Sequence, residues 1–168
     1  DKKNALSNAM YGALADALDA AETDPSVRVV LIRGEGDMFT AGNDVGEFAA
    51  MATGSFKGER HVGRFVQALA KSSRPLVAAV QGRAVGIGTT MLLHCDLVYA
   101  GESAKFSTPF AQLGLCPEAA SSLLLPALAA MTLWSLASAP LIARMVLASL
   151  PASHTAGDTG LLLNSIVN

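Results

Sequence analysis

Pro75-Leu76-Val77-Ala78-Ala79-Val80-Gln81-Gly82-Arg83-Ala84-Val85-Gly86-Ile87-Gly88, followed by Cys95-Asp96-Leu97-Val98-Tyr99-Ala100, is the stretch on which the fold turns. Leu76 to Val80 is a short apolar run closed by glycine and reads as a buried strand. Gly82, Gly86 and Gly88 punctuate a turn, an apolar helix follows from about Thr89 to His94, and Leu97 to Ala100 returns as a strand. A strand, a helix and a second strand in that order predict a right-handed crossover between parallel neighbours.

The same grammar extends upstream. His61 to Ser72 places Val62, Phe65, Val66 and Leu69 at helical spacing, and Arg74-Pro75 stops it. Val45 to Ala52 reads as a short helix and Met51 to Glu59 as a mobile loop. Val27 to Arg33 is nearly continuous in apolar and β-branched residues, which predicts a strand covered on both sides. Leu6, Met10, Leu14 and Leu18 recur every fourth residue behind a Ser7 cap, the stripe of a helix ending near Asp24-Pro25. The alternation gives an α/β class in which Val27 to Arg33, Leu76 to Val80 and Leu97 to Ala100 share one mostly parallel sheet with helices outside. No internal repeat or low-complexity linker interrupts it.

Composition narrows the function. A chain of 168 residues, 51% hydrophobic and 15% charged, can bury one core, and a formal net charge of −2 argues against nucleic-acid binding. Cys95 and Cys116 are too few for a disulfide framework or zinc site and read as packing thiols in a reducing compartment. No apolar segment follows the charged start, and no run reaches the roughly 18 apolar residues that span a bilayer. Leu123 to Leu150 comes closest, but Pro126, Pro140 and Arg144 break it into what read as buried helices. The expectation is a cytoplasmic protein, or an organellar one in a eukaryote, without a membrane span.

Two strand-to-helix turns stand out, Ala41-Gly42-Asn43-Asp44 and Gly82 to Gly88. Each directs free backbone N–H groups towards a common space, where they could meet developing negative charge. Simple tight turns would use the same glycines, and spacing does not choose between the two. The spacing misses both the G-x-G-x-x-G of a dinucleotide site and the Lys-Ser/Thr ending of a phosphate loop.

The string from Pro75 to Gly88 with Cys95 to Ala100 resembles the signature of the enoyl-CoA hydratase/isomerase, or crotonase, family. Phe39-Thr40-Ala41-Gly42-Asn43-Asp44 resembles the family's other oxyanion segment, at the expected distance upstream. The resemblance covers about Asp1 to Pro126 and implies a crotonase-like spiral of ββα turns holding an acyl-CoA thioester. It implies that the backbone N–H groups of Asn43 and Ile87 hold the thioester oxygen, with Ala41 near the adenine and Gly42, Asp44 and Gly86 completing the segments around coenzyme A. Coenzyme A enters as part of the substrate, and no separate cofactor or metal is implied. The family's full-length members are about a hundred residues longer, with a preceding strand and C-terminal helices that cover the site and form trimers or dimers of trimers. Residues 1–126 are thus expected to form the core. Residues 127–168 depart from the pattern as a divergent helical segment, truncated or incompletely represented, in which only Gly160-Leu161 through Val167 resembles the family's Gly-Leu-Val-Asn.

Family hydratases use two glutamates, and the matching positions here carry Thr90 and Phe110. Cys116-Pro117-Glu118-Ala119-Ala120-Ser121-Ser122 instead resembles the Pro-Glu-Gly-x-Ser-Ser segment of Δ3,Δ2-enoyl-CoA isomerases, which implies Glu118 as sole acid/base in fatty-acid metabolism. One carboxylate suffices to take a proton from C2 and return it to C4. Leu113, Leu115, Ala119 and Leu123 are the neighbours expected to desolvate Glu118 and raise its pKa. The competing reading of Glu118 is an inert acid at a helix start after Pro117. His94-Cys95-Asp96 reads as structural, and His61, Asp44 and Glu47 as solvated groups. The competing functional classes are a hydratase or other crotonase-fold enzyme such as a thioesterase, and a silent acyl-CoA or protein-binding module.

Overall fold

The computed structural model describes residues 2–130. Within them Asp1–Leu125 belongs to one compact unit, and 126–130, which are helical, belong to a second.

Helix α1 spans Asn8–Thr23, and its start is fixed by the Ser7 hydroxyl accepting from the Met10 N–H. Its buried face is Tyr11, Gly12, Ala15, Leu18 and Ala21. That differs from the expected leucine stripe, for Met10 is 39% exposed and Leu14 only partly buried. The small residues decide the face, because they let a neighbour approach closely: a methyl on Gly12 would lie 3.2 Å from the His61 ring. Helix α3, Val62–Lys71, packs there through Phe65 and Leu69, and the Tyr11 and Phe65 rings meet at 5.5 Å between centroids. Between these helices in sequence lie strand β1, Val30–Arg33, and helix α2, Val45–Ala52.

Strand β2, Leu76–Val80, sits between β1 and strand β4, Leu97–Ala100, and both pairings are parallel. The three expected strands thus share one parallel sheet. Asp96 pins the register: its carboxylate accepts from the Leu76 N–H and its own N–H donates to the Leu76 carbonyl, each at 2.8 Å. Strand β1 is shorter than predicted, and Leu31 is 58% exposed. The expectation of cover on both faces therefore fails at β1, which lies at the sheet edge with one residue in two turned outward among the described residues.

A second parallel arrangement was not legible in the sequence. Inside the glycine turn, Arg83–Val85 forms strand β3 and pairs with strand β5, Lys105–Ser107. Isolated bridges continue it sideways, Thr40 to Ala84 and Asn43 to Leu6, so four short segments run in the order 6, 40–43, 83–85, 105–107. Segments of three residues are too short to display a period of two. After β3 the chain forms one α turn, α4 at Ile87–Thr90, then a 3₁₀ turn at Met91–His94, rather than the single helix expected.

The C-terminal end of α1 is fastened to the corner before β2. The Glu22 carboxylate accepts from the Ser72 hydroxyl and from the N–H and hydroxyl of Ser73, at 2.5 to 2.8 Å, and these bonds hold its pKa down at about 2. Cys95 is half-buried, its thiol pushed up to about 11 chiefly by burial, as a packing thiol should be. Cys116 is exposed and does not pack. The buried helices expected from Leu123 onwards are helical where described, 121–130, but Leu123 and Leu125 are 70% and 52% exposed. The remainder of that segment, and the expectations for 131–168, lie outside the described residues.

Candidate active site

The two turns singled out by their glycines run side by side. The Thr40 N–H donates to the Arg83 carbonyl, and the Val85 N–H donates to the Thr40 carbonyl. Gly42 takes φ +87°, and a methyl there would lie 2.8 Å from the Val85 carbonyl oxygen, so close approach of the two segments requires glycine. On the other flank, the Leu6 N–H donates to the Gly42 carbonyl and the Asp44 N–H donates to the Leu6 carbonyl. In a parallel bridge the residue between two such bonded groups points its own N–H the other way. The Asn43 N–H thus faces away from the 3–6 segment and has no hydrogen-bond acceptor among the described residues. Gly86, at φ +56°, redirects the chain so that Ile87 opens α4, where an N–H has no partner within the helix. Ile87 is 0% exposed as a residue, so neither its side chain nor its main chain reaches solvent in this structure.

Glu118 lies at a cavity of about 280 Å³ whose wall combines Leu6, Tyr11, Phe48, Met51 and Val62 with Asn8, Asn43, Asp44, Glu47 and Arg60. Burial raises the Glu118 pKa above the ordinary carboxylate value. The desolvating residues are not those expected: Leu113 is 64% and Leu123 70% exposed, and of the four named only Ala119 is buried. The reason is local. Ala119 and Ala120 adopt φ of 49° and 54°, a left-handed pair that turns the chain and sends Glu118 inward while its leucine neighbours face out. The His94 Nε2 lies 2.9 Å from the Ala119 carbonyl and fastens this turn; facing an acceptor, it carries the hydrogen. His94 is therefore structural, as expected. The helical stretch begins only at 121, beyond the two alanines, so Glu118 stands outside its first turn.

The other carboxylates of the cavity are committed. Asp44 caps α2 by accepting from the Gly46 and Glu47 N–H groups and pairs with Lys2 at 2.5 Å, which holds its pKa low. It is a buried cap rather than the solvated group expected. Glu47 accepts from the Asn8 N–H at 2.6 Å. His61 is likewise not solvated: its ring packs on Gly12, and its Nδ1 is buried without a partner. Glu118 differs from both acids, since among the described residues nothing hydrogen-bonds its carboxylate, and it keeps its full capacity to exchange a proton. Thr90, fully buried with its hydroxyl 3.5 Å from the Ile87 carbonyl, can exchange none.

The structure therefore gathers Asn43, Asp44 and Glu118 at one cavity, and sets Ala41, Gly42, Gly86 and Ile87 on the paired turns rather than in its lining. A larger cavity of about 400 Å³ between α1 and β1 is mostly apolar, and the only carboxylate on its wall is the exposed Glu35. Sequence reasoning missed Tyr11, whose hydroxyl donates to the Asn43 side-chain oxygen. The signal was available: a phenol amid a stripe of alanine, glycine and leucine must find a polar partner inside. Among the described residues no cluster of acids, cysteines and histidines could hold a metal, and no helix is long and apolar enough to cross a membrane.

Residues 1–137 match the family model described as enoyl-CoA hydratase/isomerase. The chain is 41% identical over 129 residues to the enoyl-CoA delta isomerase 2 of Rattus norvegicus, covering 74% of this chain and 33% of that protein. It is 38% identical over 117 residues to the 2,3-dehydroadipyl-CoA hydratase of Escherichia coli, covering 70% and 46%. A crystal structure of an enoyl-CoA hydratase/isomerase from Pseudoalteromonas atlantica superposes with a TM-score of 0.69 at 50% identity, over 74% of this chain and 48% of that one. The chain thus spans between a third and a half of the length of these proteins.

Proposed function

This chain belongs to the enoyl-CoA hydratase/isomerase family, and we propose that its site moves a double bond from C3 to C2 of an acyl-CoA thioester by proton transfer through Glu118 alone. The observation that carries this reading is that Glu118 is the one carboxylate of its cavity with no hydrogen-bond donor among the described residues. Asp44 and Glu47 are tied up by main-chain donors, and the two positions where hydratases keep their glutamates hold a buried threonine and a phenylalanine. Hydration requires activating a water and protonating a carbon, for which two acid/base groups are normally set. A 1,3-proton shift needs one base that visits two carbons.

In this reading the thioester oxygen accepts from the Asn43 and Ile87 N–H groups, both of which lack an acceptor among the described residues. They stabilise the dienolate formed when Glu118 takes the C2 proton, and the same carboxyl returns a proton to C4. One such donor is worth on the order of a hundred- to a thousandfold in rate. Coenzyme A lies along the segments of Ala41, Gly42, Asp44 and Gly86 as part of the substrate. The raised pKa of Glu118 suits a group that must both accept and return a proton.

The test is the full-length protein assayed in parallel with 3-enoyl-CoA and 2-enoyl-CoA, as wild type and as Glu118→Gln. Isomerisation without hydration, reduced about a hundred- to ten-thousandfold by the substitution, supports the proposal. Dominant hydration of 2-enoyl-CoA, or isomerisation that survives Glu118→Gln, overturns it.

A further inference from the structure

The Tyr11 hydroxyl lies at the Glu118 cavity and is used neither by the turns nor by the acid/base assignment. The residue is 4% exposed, and its phenol lines the same cavity as Asn43 and Glu118. Its hydroxyl donates to the Asn43 side-chain oxygen. An amide oxygen can only accept, so the direction of this bond is fixed and the phenol proton is committed.

We infer that Tyr11 is a positioning residue for the proton transfer, holding Asn43 so that its main-chain N–H keeps the direction that the oxyanion requires. The inference rests on the proposed isomerase reading and deepens it. Asn43 is bridged only on its Leu6 side, through its neighbours Gly42 and Asp44, and it follows a glycine at φ +87°. The Gly42 carbonyl, in the same peptide as the Asn43 N–H, accepts from the Leu6 N–H at 2.7 Å and so sets that peptide from the main-chain side. The side-chain oxygen holds the residue from a second side, because anchoring it to a buried ring restricts the residue that carries the amide. The anchor is rigid: the Tyr11 ring packs against Phe65, itself 1% exposed, with an interplanar angle of 49°.

The phenol has a second consequence in the cavity. With its proton given to Asn43, the Tyr11 oxygen can offer Glu118 only lone pairs. Burial and, after it, the Glu118 charge push the Tyr11 pKa upward, so the phenol stays neutral and its proton stays on Asn43 while Glu118 cycles between its two forms. Tyr11 thereby stays a neutral phenol that neither takes the C2 proton nor supplies one to C4.

A double-substitution cycle on the full-length protein tests this. Tyr11→Phe keeps the ring and its contact with Phe65 but removes the hydroxyl, and Asn43→Ala keeps the main-chain N–H but removes the acceptor. Each should lower kcat for 3-enoyl-CoA isomerisation about tenfold, with KM and acyl-CoA binding within twofold of wild type. The double variant should be no slower than either single one, because both break the same link. Wild-type kcat in Tyr11→Phe, or losses that multiply in the double variant, would overturn the inference while leaving the isomerase reading intact. A wild type without isomerisation overturns that reading and this inference with it.

Discussion

Replacing Gly42 by alanine puts a methyl group where the two turns touch. The new carbon would sit 2.8 Å from the Val85 carbonyl oxygen, whereas ordinary contact begins at 3.4 Å, so the turns must separate by about 0.6 Å. At φ +87° the residue also enters a region that costs an L-amino acid about 1 to 2 kcal/mol. The strain alone would lower the melting temperature by several degrees. The separation has the larger effect on rate, because Asn43 rides on the displaced turn and a misplacement approaching 1 Å can cost on the order of a hundredfold. We expect Gly42→Ala to lower kcat for 3-enoyl-CoA by about tenfold or more in stopped-flow absorbance assays, with the protein still folded by circular dichroism. A variant that melts several degrees lower yet turns over at the wild-type rate would refute the link between turn spacing and catalysis.

Glu22→Gln should weaken the protein at neutral pH but flatten its acid unfolding curve. The Glu22 carboxyl has its pKa lowered from 4.5 to about 2 by Ser72 and Ser73, so its contribution is present above 4.5 and vanishes as the pH falls through 2. Melting temperatures of wild type and variant should converge across that window; a constant difference down to pH 2 would contradict the assignment. Glu118→Gln should have the opposite sign. Burial raises the Glu118 pKa, so its ionised form costs stability above the ordinary value of 4.5 and costs nothing well below it. The variant should melt higher than wild type at pH 7 and converge on it by about pH 3, and a lower melting temperature at pH 7 would show that the carboxylate is stabilising after all.

The large sheet was readable because each of its strands is an apolar run bounded by glycine, proline or a helical period. Those signals are local, and β2 and β4 appear where Leu76 to Val80 and Leu97 to Ala100 announced them. The small sheet was not readable, since β3 hides within three residues of a glycine turn and its partners are remote. For the candidate site, residue identity singled out Glu118, but the residues that share its cavity come largely from α1, α2 and the start of α3. The sequence neighbours Leu113, Leu115 and Leu123 were the natural guess, and two left-handed alanines turn them away. Asp44 shows the converse: a loop acid on paper becomes a buried cap once Lys2 folds back onto it.

The sideways order of the small sheet bears on how the protein acquires its site in time. Each neighbouring pair of segments, 6 with 40–43, 40–43 with 83–85, and 83–85 with 105–107, closes a long stretch of intervening chain. By loop-closure entropy each such pairing costs on the order of 3 kcal/mol before any contact repays it. Non-local parallel pairing of this kind forms slowly compared with helices such as α1 and α3. The larger sheet and its helices can assemble first, with the Asn43 and Ile87 turns still unpaired. On this topology the Asn43 turn keeps its setting only while the Leu6 segment stays docked on it through two main-chain bonds.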